Sequence, residues 1–191
     1  MADTYPWPSK IVSGKQLTIA LSGSLPANGW QTALKSAIEF FNAEMARNKI
    51  ALTFEKIEKA SRAQVVMEGV PGTGIHGQAA LGLTGRVGGK EYLANVTIKV
   101  PATPRVSERD PKARIVGDGI KTCILVHEMI HGVGLDNFQH TPGDVFSKVF
   151  QLIEGSAPSL DKMQWDASSP SLPPPVINGV TLKKIKSVWT A

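Results

Sequence analysis

Cysteine is almost missing from this chain of 191 residues. Cys123 stands alone, which excludes an internal disulfide framework and any zinc site built from several thiolates. Aromatic residues amount to only 6%, and no stretch reaches the roughly 18 apolar residues that a membrane span needs. The opening residues, Met1-Ala2-Asp3-Thr4-Tyr5-Pro6, have neither a basic segment nor an apolar core. No secretory signal is therefore expected, and a cytoplasmic location or export by another route is the expectation. Charge of one sign does not dominate either. The balance is +5, from 21 Lys and Arg against 16 Asp and Glu, and only Lys183-Lys184-Ile185-Lys186 forms a basic run. No stripe of basic and aromatic residues is present of the kind that single-stranded nucleic acid prefers, so nucleic acid is not expected as a partner. What remains, 42% hydrophobic and 19% charged residues, suits one globular domain with a buried core.

Hydrophobic periodicity divides the chain into strands and helices. Leu17-Thr18-Ile19-Ala20-Leu21 reads as a strand after an irregular lead-in over 1–15. Trp30, Ala33, Leu34, Ala37, Ile38, Phe41 and Met45 recur at spacings of three and four, which predicts a long helix from about 29 to 48. Runs at 50–54 and 63–67 read as two more strands. A glycine-rich stretch follows, holding a short small-residue strand at 78–83, where a neighbour is expected to approach closely. Val96, Ile98 and Val100 alternate with polar residues in a strand over 92–100. A helix is expected over 117–132, and a last one places Leu182, Ile185 and Trp189 on a common face. The fold class expected is α/β (α+β), a single domain spanning 1–191 with no internal repeat.

Only four histidines occur, and three of them fall between residues 127 and 140. His127-Glu128-Met129-Ile130-His131 matches H-E-x-x-H on a segment that periodicity independently makes helical. Four residues are just over one helical turn, so both imidazoles leave the same face and can hold one metal ion. Zinc lowers the pKa of a water to about 7, within reach of a carboxylate base, and Glu128 stands beside the first ligand to serve as one. A catalytic zinc wants three protein ligands and an open position. Gly132 and Gly134 turn the chain just past His131, and His140 follows near enough to supply the third. The cofactor expected is one catalytic Zn2+. His76, in Gly74-Ile75-His76-Gly77, reads as a loop histidine, Cys123 as a small buried hydrophobe, and Asn95-Val96-Thr97 as a sequon that matters only on a secretory route.

The run His127-Glu128-Met129-Ile130-His131-Gly132-Val133-Gly134-Leu135 resembles the metzincin clan of zinc endopeptidases, whose pattern is H-E-x-x-H-x-x-G-x-x-H. It is most similar to matrixin-type catalytic domains. The position ten residues after His127 holds Asn137 instead of histidine. With Asn137-Phe138-Gln139 as an insertion, His140 takes the third ligand's place, and Asp136 and Asn137 are the competing oxygen ligands. The resemblance implies a twisted mixed sheet with a long helix and an active-site helix over about 15–134. It implies a small irregular C-terminal subdomain over about 135–191 that ends in a helix. It also implies a methionine turn beneath the metal, for which Met163 is the candidate, and an edge strand that pairs with an extended peptide. Ala79, Ala80, Leu81 and Gly82 are the residues assigned to that strand. The activity implied is hydrolysis of peptide bonds in a peptide or protein substrate by a monomeric enzyme with no propeptide ahead of the domain. The alternative is a zincin-fold protein that keeps the metal as a binding module without catalysis.

Overall fold

Alternating apolar residues make Gln16–Leu21 a strand, β1, with Leu17, Ile19 and Ala20 buried. The computed structural model describes residues 5–23, 25, 29–74, 77–84, 89–105, 112–113, 115–135 and 177–190. Parallel partners flank β1 on both sides, β2 (Thr53–Lys56) on one and β3 (Val65–Val70) on the other. Strand β5 (Leu93–Pro101) continues the sheet parallel to β3, and β4 (Gln78–Leu83) runs antiparallel to β5. The order β2-β1-β3-β5-β4 gives a five-stranded, mostly parallel mixed sheet with β4 at its edge.

Parallel neighbours need a long crossover, and a helix supplies the one from β1 to β2. Helix α2 (Trp30–Arg47) buries Trp30, Ala33, Leu34, Ala37, Phe41 and Met45, the stripe expected from their spacing. The ring of Phe41 meets Phe54 of β2 edge to face, with centroids 5.1 Å apart. Helix α3 (Asp118–Gly132) lies beside α2 and is of a different kind, because every residue from Ile120 to Gly132 is buried. A helix apolar on most of its circumference belongs inside a core. Of its five buried polar side chains, Lys121 pairs with Asp118 and Thr122 donates to the Asp118 carbonyl, and His127, Glu128 and His131 are left to call for a reason. The last helix, α4 (Gly179–Trp189), starts on an Asn178 cap that accepts from the Thr181 amide at 2.8 Å and buries Leu182, Ile185 and Trp189.

Two sequence expectations are corrected. The lead-in holds a short helix, α1 (Ser9–Gly14), which buries Val12 and ends on Lys15 in the left-handed conformation. Six residues are too few for periodicity to reveal. The apolar run at 50–54 is also divided. Ile50 and Leu52 fill the core within the turn that leaves α2, where the Ile50 amide donates to Met45, and β2 begins only at Thr53. Burial alone does not tell a turn from a strand over so short a run. Among the described residues no helix is long and apolar enough to cross a membrane.

Candidate metal centre

His127 and His131 stand one turn apart on α3, with 9% and 8% of their surface exposed. Their rings are 5.1 Å apart at an interplanar angle of 82°. His131 Nδ1 lies 2.8 Å from the carbonyl oxygen of Leu135. A carbonyl can only accept, so Nδ1 carries the proton, and in the neutral ring Nε2 is left with a lone pair for a ligand. This is the outer-shell arrangement that orients a metal-binding imidazole.

Glu128 lies between them in sequence and is only 3% exposed. Its carboxylate reaches past α3 to the backbone N–H of Ala79 in β4, while Oε2 is buried with no hydrogen-bond partner among the described residues. Burial outweighs that hydrogen bond and pushes the carboxyl from 4.5 up to about 8. In the absence of a cation the group is therefore neutral at pH 7. A buried imidazole pair with one tautomer set, next to a carboxyl lacking a partner, fits a dication such as zinc. A positive charge there would favour the carboxylate. The residues present fit the metal.

The end of α3 is tied down from both ends of the chain. The carbonyl of Gly132 accepts from Trp7 Nε1 at 2.9 Å, that of Val133 from Trp189 Nε1 at 3.0 Å, and that of Gly134 from the Tyr5 amide at 3.0 Å. The Leu135 carbonyl accepts a hydrogen bond from His131 Nδ1–H. The terminal carbonyls of a helix have no partner inside it, and here two buried indoles and a backbone strap supply them. Strap residue Pro6 accepts from the Leu93 amide at 2.9 Å, which fastens it to β5 as well. Trp7, Trp189 and Tyr5 were not legible as site residues in the sequence, because their partners lie far off in the chain.

Ala79, Ala80, Leu81 and Gly82 are in β4 as expected, paired with β5 through the register Ala79↔Ile98 to Gly82↔Asn95. Ala79 and Leu81 pack toward the core, and the Ala79 amide reaches Glu128 on the histidine-bearing helix. Close approach at the glycines of this region is to side chains: a Cβ on Gly82 would lie 2.4 Å from Asn95 Oδ1. Cys123 is buried and its thiol is pushed up to about 12 by desolvation, which makes it a small core side chain and leaves it without thiolate chemistry. His140, Asp136, Asn137, Met163 and His76 lie outside the described residues. Among the described residues no three His, Cys, Asp or Glu side chains converge on one point.

The fold and site together define a class: a mixed α/β protein with a buried His-Glu-His helix under an antiparallel edge strand. No family model matches the chain, and no curated protein resembles it in sequence.

Proposed function

We propose that this chain is a zinc-dependent endopeptidase of the metzincin type. One observation carries the reading: a single buried helix presents His127, Glu128 and His131 together, with the His131 tautomer set by Leu135 and the Glu128 carboxylate bound to the edge strand. The order of elements supports it, since strand, long helix, two strands, edge strand, strand and histidine helix follow one another as the resemblance implies. His140 is proposed as the third ligand, Met163 as the residue of the methionine turn, and β4 as the strand along which an extended peptide pairs. His127 and His131, with His140 as the proposed third ligand, would hold a zinc ion, which would supply polarisation of a scissile carbonyl and acidification of a water. Glu128 would act as the general base that takes a proton from the attacking water and returns it to the leaving amine. The edge strand aligns the peptide by backbone hydrogen bonds, and burial of the three side chains excludes bulk solvent from the proton's path.

The test is metal analysis of the reloaded protein together with cleavage of a mixed peptide set. The parent is expected to retain stoichiometric zinc and to cleave. Glu128→Ala is expected to retain the zinc and lose about 10²-fold or more in kcat. Zinc without Glu128-dependent cleavage would establish the binding-module alternative, and absence of bound metal would refute both. For the third ligand, His140→Ala is expected to weaken zinc retention strongly while Asn137→Ala leaves it unchanged, because imidazole suits zinc better than a neutral amide. The reverse result would transfer the role to Asn137.

A further inference from the structure

Gly77 stands directly before β4, two residues ahead of Ala79, whose amide reaches Glu128. A Cβ built on Gly77 would lie 2.7 Å from Glu128 Cγ, 2.9 Å from Cδ and 2.9 Å from Oε1. All three nearest atoms belong to the same side chain. Separations below about 3 Å are inside the repulsive wall for carbon and oxygen, so a side chain at 77 and the present position of the carboxylate exclude each other. The backbone of Gly77 does not itself require glycine, since its φ is outside the left-handed region. Gly134 is the contrasting case. There a Cβ would meet the backbone oxygen of Tyr5 at 2.6 Å and φ is +106°, so glycine is needed for the chain path.

We propose that Gly77 is a positioning residue for Glu128: its bare Cα and the Ala79 amide form a backbone cradle that holds the carboxylate against the edge strand. The contact is with the flexible end of a side chain, so a methyl group at 77 displaces Glu128 and leaves the fold in place. Glu128 is only 3% exposed, so its displacement takes place among buried groups. The catalytic consequence rests on the proposed peptidase reading. A base moved by about 1 Å loses alignment and can cost 10²-fold in rate, without any change in the groups that hold metal or peptide. The strand that is proposed to align the substrate thereby also sets the place of the general base.

Two measurements test the cradle separately from the peptidase reading. In the metal-free full chain, the Ala79 amide resonance is followed in the parent, Gly77→Ala, Glu128→Ala and the double variant. Gly77→Ala is expected to move it as far as Glu128→Ala does, and the double variant to move it no further, because all three lose the same hydrogen bond. A parent-like Ala79 resonance in Gly77→Ala, or additive shifts, would overturn the proposal. Should Gly77→Ala unfold the parent, the same substitution in the Glu128→Ala chain decides: folding there supports the clash with Glu128, and unfolding there refutes it. In the zinc-loaded protein, Gly77→Ala is expected to lower kcat by about 10²-fold, with KM within about twofold and zinc stoichiometry unchanged. A parent-like kcat would overturn the positioning role. A parent that shows no Glu128-dependent cleavage refutes the peptidase reading alone, and the Ala79 measurement then decides the cradle.

Discussion

Raising the pH of the chelated protein from 5 to 8.5 is expected to lower its stability by several kcal/mol, and Glu128→Gln is expected to abolish most of that loss. The cause is the carboxyl of Glu128, whose burial raises it from 4.5 to about 8. Between those two values the folded chain holds a proton there that the unfolded chain has released, so stability falls as pH rises. Below pH 4.5 both states are protonated and the contribution is fully present. Above 8 both are ionised and it is gone. At about 1.4 kcal/mol for each pH unit between the two values, the loss is of order 5 kcal/mol. Cys123 adds nothing over this range, since its thiol stays protonated to about 12 in the folded chain and to 9.0 in the unfolded one. Urea denaturation at several pH values measures the effect, with the difference between parent and Glu128→Gln isolating it from other groups. On the proposed reading, zinc loading should remove this loss, because a dication beside Glu128 favours its carboxylate. Equal pH slopes in the chelated parent and Glu128→Gln would refute the burial argument.

Gly134→Val is expected to destabilise the protein by about 3–5 kcal/mol and to lower its Tm by roughly 10 °C. Two causes act at one position. Its φ of +106° is disfavoured for any residue with a Cβ and most of all for a β-branched one. The added Cβ would also lie 2.6 Å from the Tyr5 carbonyl oxygen, which cannot retreat. The Tyr5 amide is bonded to Gly134, Pro6 to Leu93, and the Trp7 indole to Gly132. Displacing the strap would forfeit these bonds, each contributing about 1 kcal/mol, and would unfasten the segment whose Leu135 carbonyl orients His131. On the proposed reading, zinc affinity is therefore expected to fall together with Tm. Gly132→Ala is the control. Its Cβ would meet Phe54 Cζ and Val65 Cγ2 at 3.7 Å, ordinary contact distances inside a helix, so stability should be unchanged or higher by up to about 1 kcal/mol. A Gly134→Val protein as stable as the parent would refute the strap.

The histidine helix was legible because its signal is local. H-E-x-x-H and the apolar residues around it share a short window, and α3 occupies Asp118–Gly132 where 117–132 was expected. The same holds for α2, whose seven-residue stripe is buried or half-buried throughout, and for β4, whose bounds agree with the small-residue run. Boundaries failed where one apolar run served two elements, as at Ile50 and Leu52. Gly77 was visible only as one glycine among many around 69–89, and nothing local marks it as the neighbour of a residue on α3. The strap was invisible, since Trp7 and Gly132 are 125 positions apart.

By itself, then, the sequence determined which side chains sit together on one helix, because helical spacing converts a five-residue pattern into a shared face with no help from the rest of the chain. Only the tertiary structure decided what those side chains meet. It buried Glu128 and brought its carboxylate to the Ala79 amide. It also set the His131 tautomer through Leu135 and closed the end of α3 with indoles from both ends of the chain. The His131–Leu135 contact spans only four residues, but the others join distant segments, and burial, hydrogen bonding and protonation state depend on such contacts once a polar group leaves water.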